Sequence, residues 1–168
     1  MNKLFAFLFL LICLVYVRFI LQINPNFEII NAPISKVNPQ YLFEKQPLVI
    51  HEPLVKPIDL LGTLFKYLYI RYKHEATTPA NVYQQNRNKY LVLYPRKNGL
   101  SLHVVHPKKT PFLKDGTKES LKHVDYVEFK LKKKQVLILP MYWWYKTSSE
   151  KFGRIEIDDI LSLLLTSS

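Results

Sequence analysis

The residues of this sequence best suited to chemistry are two histidines and a carboxylate in its second half. His123-Val124-Asp125 forms a His-x-Asp pair, and His103 lies upstream of it. Two histidines and one carboxylate can hold a ferrous ion and leave coordination positions open for a cosubstrate and oxygen. His103, His123 and Asp125 are therefore the candidate metal ligands, provided that folding brings them within reach of one ion.

Several other kinds of catalytic centre are excluded by what the sequence lacks. Its single cysteine, Cys13, lies in an apolar segment near the N-terminus, so the remaining chain has no thiol for a disulfide, a zinc site or a nucleophile. No glycine-rich phosphate loop, nucleophile elbow or pair of catalytic carboxylates is recognisable. The cysteine usage and the absence of Asn-x-Ser/Thr acceptors are typical of a reducing, cytosol-like compartment.

The chain is strongly basic, with a formal net charge of +11 carried mostly by lysine. Three interpretations stay open: a solvated surface, attraction to the anionic headgroups of a nearby membrane, and nucleic-acid binding. Nucleic acid is the less favoured partner, because phosphate recognition favours the planar fork of arginine and no nucleic-acid-binding motif is present. The charge is concentrated around one predicted turn, at Lys130, Lys132, Lys133 and Lys134.

Residues 4–17 (LFAFLFLLICLVYV) form an uncharged, almost wholly apolar segment. Counted through Ile23, the apolar stretch has about 20 residues, roughly what a helix needs to cross a hydrocarbon core of ~30 Å. Arg18 lies near its end, where the side chain can reach the headgroups. A cleaved signal peptide is the alternative, but a small-x-small cleavage site is missing. We predict a single-pass signal-anchor over residues 1–23, contacting lipid through residues 4–23, with the following domain in the cytoplasm.

The rest of the chain has the pattern of one small, strand-rich domain. Prolines break residues 24–46, which we predict to be a tether with one short strand at 27–31. Leucines at helical spacing predict a helix over 57–73, and the apolar-rich end of the chain predicts a terminal helix over 155–165. Between them, a polar loop over 74–88 is followed by most of the strands. The predicted strands are 46–51, 89–94, 100–106, 124–131, 135–139 and 141–147, of which 135–139 is apolar throughout and so expected to be buried on both faces.

Two segments of the domain are distinctive: residues 43–51 (FEKQPLVIH), which precede the predicted helix, and residues 131–145 (LKKKQVLILPMYWWY). The first resembles the short apolar strand before a helix in cupin-like proteins of the JmjC and asparaginyl-hydroxylase type. The second resembles their late strand pair, and also cupin-like proteins of large DNA viruses. The resemblance implies a mainly β (α+β) fold, with a small antiparallel β-barrel or sandwich over residues 47–168 and one or two flanking helices.

The same resemblance implies an activity, namely iron(II)- and 2-oxoglutarate-dependent hydroxylation or demethylation. The histidine expected to close the family's metal site is Tyr145 here, a poor ligand for ferrous iron because a phenol ionises only at about pH 10. Pro140, Trp143 and Trp144 belong to the same motif. We expect the tryptophans to be core and rim aromatics rather than a platform on which a ligand stacks.

The sequence therefore favours a protein that is not an enzyme and needs no cofactor. We expect a membrane-anchored, cupin-like structural or interaction component that contacts lipid and protein partners, and the viral resemblance adds a viral membrane or virion as a location. Two alternatives stay open: a dioxygenase with atypical ligands that uses iron(II) and 2-oxoglutarate, and a basic module that binds anionic lipid or nucleic acid.

Overall fold

A computed structural model describes residues 3–22, 24–51, 62, 64–65, 69–77, 81–96, 99–109, 125–149, 151–159 and 162–163. The helices are α1 (Lys3–Leu21) and α2 (Gln40–Phe43), and two 3-10 turns lie at Ile34–Lys36 and Pro107–Lys109. The strands are β1 (Ile30–Ala32), β2 (Leu48–His51), β3 (Tyr69–Thr77), β4 (Gln84–Gln85), β5 (Tyr90–Pro95), β6 (Leu100–Val105), β7 (Val127–Leu131), β8 (Gln135–Pro140), β9 (Trp144–Thr147) and β10 (Lys151–Asp158).

These strands form two sheets. The six-stranded sheet has the order β1-β2-β8-β5-β10-β3, and the four-stranded sheet has the order β4-β9-β6-β7. β1 and β2 run parallel, while every other described strand pair is antiparallel. The prediction of a mainly β fold with antiparallel strands and few helices is confirmed at this level.

Alternation along the strands creates two buried clusters, one on each face of the six-stranded sheet. Leu91 of β5 and Leu137 of β8 point towards the four-stranded sheet, where they pack in one cluster with Leu102 of β6. The next residues along the same strands, Val92 and Ile138, belong to the cluster on the opposite face. β8 is therefore buried on both faces, as its uniformly apolar sequence predicts.

The segment predicted to be a tether, residues 24–46, packs against the six-stranded sheet. Its strand lies at Ile30–Ala32 rather than at 27–31, and pairs with β2. Ala32 and Leu42 are buried in the cluster on the outer face of that sheet. Pro33 and Pro39 stand at the N-caps of the 3-10 turn and of α2, and the apolar side chains between them cover a sheet face that water would otherwise contact.

The prediction of a terminal helix over residues 155–165 is wrong for its first part, which is strand β10. This strand lies between β3 and β5 and is paired with both. Its side chains alternate, because Ile155 and Ile157 enter the outer cluster while Arg154 and Glu156 take the other face. Apolar residues continue beyond the end of the strand and suggested a helix. They obscured the alternation of apolar and polar side chains within the strand itself.

The predicted helix over residues 57–73 is also wrong at its end, because β3 begins at Tyr69 and continues into the predicted loop as far as Thr77. Gly62 and Leu64 are helical, and the remainder of that prediction lies mostly outside the described residues. The loop contains a further short strand, β4. Pairing with β10 along nearly its whole length holds β3 extended, which local helical spacing does not reveal.

Helix α1 precedes the sheets and exposes apolar side chains. Ten large hydrophobic residues between Leu4 and Val15 have 46–72% of their surface exposed. The predicted anchor is thus helical over Lys3–Leu21. Within the described part of the chain, we find no helix that meets the combined length and apolarity expected of a membrane span.

Candidate functional site

Tyr145, the residue that the sequence resemblance aligns with a metal-binding histidine, lies inside the fold between the two sheets. It is buried in the same cluster as the leucines of β5, β6 and β8. Its hydroxyl donates to Oε1 of Gln84 on β4 at 3.0 Å and accepts from Nη1 of Arg154 on β10 at 3.2 Å. Because Gln84 belongs to the four-stranded sheet and Arg154 to the six-stranded sheet, one hydroxyl links both layers.

Arg154 also forms a buried ion pair. Its Nη2 lies 2.9 Å from Oε1 of Glu156, and the two side chains are 18% and 7% exposed. Nε of Arg154 is buried and has no hydrogen-bond partner among the described residues. We call Gln84, Tyr145, Arg154 and Glu156 the interior polar cluster.

The interior polar cluster keeps Tyr145 in its neutral form. Burial raises the pKa of the phenol, Arg154 acts against this shift, and Glu156 adds to it. The hydroxyl donates a hydrogen bond to Gln84, and its oxygen accepts a hydrogen bond from the guanidinium of Arg154. Tyr145 therefore joins the sheets as a hydrogen-bonding phenol and does not present a phenolate to a metal ion.

His103, the first of the predicted metal ligands, lies on the opposite face of the four-stranded sheet from Tyr145. Its neighbour Val104 pairs with Tyr145 and is buried with it, so alternation turns His103 outward. Its ring stacks on Tyr126, with centroids 4.3 Å apart and an interplanar angle of 4°. Nδ1 is 3.3 Å from the hydroxyl of Tyr83, and Nε2 is 3.6 Å from Oε1 of Glu128.

The surroundings of His103 favour its neutral form. Partial burial lowers its pKa, the charge of Lys146 lowers it further, and Glu128 opposes both effects. A neutral imidazole has one nitrogen that can accept or bind a metal, but here each nitrogen already has a polar neighbour.

The structure describes only one of the other two predicted ligands. Asp125 is exposed in the residues just before β7, and His123 lies outside the described residues. Among the residues that the structure describes, no group of three or more His, Cys, Asp or Glu side chains is arranged to hold a metal ion.

The tryptophans of the motif separate to different faces. Trp143 is buried between the sheets, where its indole Nε1 donates to the carbonyl oxygen of Lys45 at 3.1 Å. Trp144 starts β9 on the outer face and is half-buried. Pro140 ends β8, so the motif is the connection by which the chain passes from the six-stranded to the four-stranded sheet.

Asn86 supports that connection, a role that no pattern in the sequence predicts. Its buried side-chain amide donates to the carbonyl oxygens of Leu139 and Pro140, both at 2.9 Å. Its own carbonyl accepts from the backbone N–H of Tyr142 at 2.7 Å, where the chain has a φ of 70°. A single buried asparagine thus satisfies the backbone groups that the left-handed turn leaves unpaired.

His106, next to β6, attaches the N-terminal segment to the domain. Its Nδ1 accepts from the backbone N–H of Lys108 at 3.1 Å, so the ring proton is on Nε2, which donates to the carbonyl oxygen of Asn24 at 2.7 Å. The ring also meets Trp143 edge-on, with centroids 4.9 Å apart. Both nitrogens of this buried histidine serve structure rather than catalysis.

A second charged cluster joins α1 to the domain, which we call the α1 junction: Tyr16, Lys89 and Asp159. Lys89 Nζ lies 2.5 Å from Oδ2 of Asp159 and 2.7 Å from the hydroxyl of Tyr16, which itself donates to Asp159. Lys89 precedes β5 and Asp159 follows β10, so adjacent strands bring them together. Burial raises the pKa of Asp159, but hydrogen bonds from Lys89 and Tyr16 outweigh it and lower the pKa to about 2.

We expect the α1 junction to make stability depend on acid pH. Because the pKa of Asp159 falls from 3.8 to about 2 on folding, its stabilisation is complete above pH 3.8 and is lost as the pH falls to about 2. Asp159→Asn should lower the free energy of unfolding by about 1–2 kcal/mol at neutral pH and flatten this acid dependence. Urea unfolding of the full chain in non-ionic micelles at several pH values measures both effects.

The exposed charge of Lys36 provides the control for this experiment. Lys36→Gln should leave the acid dependence as it is in the unsubstituted protein, because a lysine keeps its charge throughout the acid range. An Asp159→Asn variant with the same acid dependence as the unsubstituted protein would contradict the role given to the α1 junction.

Comparisons with known proteins do not add a family to this description. No protein-family model matches the chain, and a search of curated proteins finds no match. The fold and the site define a two-sheet domain that carries an apolar helix, and its function is proposed from that geometry.

Proposed function

We propose that this protein is a membrane-attached domain of cupin-like architecture that acts as a structural or interaction component rather than as an enzyme. The observation that carries the proposal is the exposed apolar surface of α1. The proposal includes a cytoplasmic position for the domain, which is supported by the lack of cysteine beyond Cys13 and of glycosylation acceptors.

Attachment to lipid is supported by the way in which α1 exposes its side chains. Leu4, Phe7 and Leu14 are among the exposed residues, and the set from Leu4 to Val15 surrounds the helix rather than following one stripe. A helix that packs on protein buries one stripe, whereas a helix apolar on all sides is typical of a lipid environment. Each large apolar side chain removed from water contributes roughly 1.5–3 kcal/mol, so insertion of this helix is strongly favourable.

The α1 junction supports a defined position of the helix on the domain. Lys89 and Asp159 hold the hydroxyl of Tyr16, and Lys45 Nζ donates to the carbonyl oxygen of Gln22 at 2.6 Å just beyond the helix. The exposed apolar residues all precede Tyr16. Such an arrangement suits a domain that is held close to the lipid surface at one end of its sheets.

The cupin-like part of the proposal is supported by where the resembling motif lies. Residues 131–145 form β8, the connection through Pro140 and Trp143, and the start of β9. They place one strand in each of two facing sheets, as a double-sheet cupin-like fold requires. The segment 43–51, the weaker half of the resemblance, contains β2, which pairs with β8.

The non-catalytic part of the proposal is supported by the interior polar cluster. In a dioxygenase of this kind, the position of Tyr145 would supply an open ligand for iron. Tyr145 is instead hydrogen-bonded to Gln84 and Arg154, and Arg154 is paired with Glu156. These contacts suit a residue that holds two sheets together.

Flotation of the full chain with neutral phosphatidylcholine vesicles tests membrane attachment. We expect flotation at both about 0.1 M and about 1 M salt, because insertion of apolar side chains persists when the Debye length falls from ~10 Å to ~3 Å. Flotation only with vesicles that contain anionic lipid, and lost at about 1 M salt, would instead assign the chain to surface binding through its positive charge. A chain that stays at the bottom of the gradient at both salt concentrations would refute the attachment.

A further inference from the structure

The turn between β7 and β8 lies at the end of the sheets remote from the α1 junction. Pro140, at the end of β8, pairs with Tyr90, which follows Lys89 of the junction. Gln135, at the start of β8, is five residues away, or about 17 Å at the rise of an extended strand. The lysines that precede Gln135 therefore extend from the far end of the domain, away from the part that α1 holds.

The backbone of that turn is held by hydrogen bonds, and its lysine side chains are exposed to solvent. Lys132, Lys133 and Lys134 are all exposed. The backbone N–H of Lys132 donates to Oε1 of Gln135 at 2.7 Å, and the N–H of Gln135 donates back to the carbonyl oxygen of Lys132 at 3.0 Å. These two bonds hold the turn in one conformation.

Lys134 occupies a backbone conformation that lysine rarely adopts. Its φ is 74°, in the left-handed region where glycine or asparagine is usual and other residues cost about 1 kcal/mol or more. A glycine here would stabilise the hairpin but would remove one of its charges. Lysine at this position therefore keeps a positive charge on the turn at a cost in backbone strain.

The outer face of the four-stranded sheet continues from this turn with aromatic rings. Lys130 of β7 is exposed on this face, and Tyr126 lies four residues further along, about 13 Å away for extended chain. Tyr126 is 49% exposed and stacks flat on His103. Lys146 of β9 places its Nζ 4.9 Å above the ring of Tyr83, which itself contacts His103.

This surface combines both groups that single-stranded nucleic acid needs. Bases stack on exposed aromatic rings irrespective of sequence, and lysines along the path neutralise phosphates. Open faces of four-stranded antiparallel sheets are used for this purpose in RNA-binding domains. Glu128 lies on the same face of β7, between Lys130 and Tyr126 along the strand, and its Oε1 is 3.6 Å from Nε2 of His103.

We propose that Lys130, Lys132, Lys133, Lys134 and Lys146, with Tyr126, bind single-stranded nucleic acid at the end of the domain remote from the membrane. The lysines alone would suit any polyanion, including anionic lipid. The distance from the α1 junction disfavours the membrane that holds α1, and the stacked rings favour a partner with flat bases. The protein would then hold a nucleic acid near a membrane.

Fluorescence anisotropy of a labelled oligothymidylate tests the proposal, with the full chain inserted in neutral phosphatidylcholine vesicles. The Lys132→Gln/Lys133→Gln variant should bind at least about tenfold more weakly at low salt, and its slope of log affinity against log salt should be smaller by about 1.4. The matched control, Lys36→Gln/Lys108→Gln, removes the same charge from exposed lysines elsewhere and should keep the slope of the unsubstituted protein.

Tyr126→Ala separates stacking from charge. We expect it to weaken oligonucleotide binding about tenfold while leaving the salt slope unchanged, because a ring contributes no ionic contact. Equal losses in the two double variants would assign binding to net charge and overturn the proposal, as would full binding by Tyr126→Ala or no binding by the unsubstituted chain at low salt.

A second set of vesicles distinguishes the lipid alternative. Binding of the turn to added vesicles that contain anionic lipid, without oligonucleotide binding, would also overturn the proposal. The readout is separate from membrane attachment, because every variant here keeps α1 intact and should still float with neutral vesicles. Failure of nucleic-acid binding therefore leaves the proposed attachment standing. If flotation fails, the same oligothymidylate titration is carried out on the full chain in non-ionic micelles, so the two failures stay distinguishable.

Discussion

Replacement of Phe7 and Leu11 by lysine is expected to release the protein from neutral vesicles. The two residues are four apart on α1, so they lie on one face of the helix, and both are exposed in the structure. A lysine in the middle of a lipid-embedded helix costs ~2.5–3.5 kcal/mol. Two would lower the partition coefficient by roughly a thousandfold or more, since each 1.4 kcal/mol is a factor of about ten.

Movement of the lysine ammonium groups towards the headgroups will recover part of that loss. We therefore expect at least about a hundredfold decrease in the partition coefficient, measured by flotation over a series of lipid concentrations. Tyr126→Lys is the matched control, because it also replaces an exposed apolar residue by lysine, but on the four-stranded sheet rather than on α1. It should float as the unsubstituted protein does.

The domain should stay folded in both variants, because Phe7 and Leu11 lie outside the two buried clusters. Near-ultraviolet circular dichroism, which reports the packed environment of Trp143, verifies this. If Phe7→Lys/Leu11→Lys floats as well as Tyr126→Lys, α1 does not hold the protein to lipid, and the proposed attachment fails.

Removal of the charge of Arg154 should give the largest loss of stability within the domain. Arg154→Met removes from the carboxylate of Glu156, 7% exposed, the guanidinium that lies 2.9 Å from it between the sheets. Loss of one member of a buried ion pair typically costs ~3–5 kcal/mol, because the remaining charge stays desolvated. Tyr145 also loses a donor to its hydroxyl oxygen. Urea unfolding of the full chain in non-ionic micelles measures the change.

A second substitution distinguishes the ion pair from general packing. Arg154→Met/Glu156→Leu removes both charges, and we expect it to recover most of the lost stability, since apolar replacement of a buried pair is often neutral. Lys130→Met, on the exposed face of β7, is the control and should change the unfolding free energy by less than about 0.5 kcal/mol. Additive losses in the double variant, or a loss below about 1 kcal/mol in Arg154→Met, would contradict the pairing.

The two features tested by these experiments, the apolar helix and the buried ion pair, differ in how far they can be predicted from the sequence. The apolar character of α1 is a property of consecutive residues, so its helical form over Lys3–Leu21 agrees with the prediction. Arg154 and Glu156, which form the ion pair, are two residues apart in the chain. The apolar residues near the C-terminal end suggested a helix over this segment. Only pairing of β10 with strands on both sides makes them neighbours on one buried face.

The candidate site shows the same division. The unusual motif around Tyr145 was recognisable from sequence, and so was its departure from a metal ligand. Its partners were not, since Gln84 precedes it by 61 residues and Arg154 lies across the interior on another sheet. Asn86 and the Lys89–Asp159 pair were missed for the same reason, as each depends on contacts between distant parts of the chain.

The apolar helix, the basic charge and the strands with continuous or alternating apolar residues can all be predicted from the order of the amino acids alone. These are local properties, because the period of side chains along a helix or strand is set by the backbone. The tertiary structure decided which faces these strands bury. It placed Tyr145 inside and His103 outside, and it moved the lysine turn to the end of the sheets opposite α1. Spacing alone cannot give such placements, since they follow from strand order and register, which distant residues fix together.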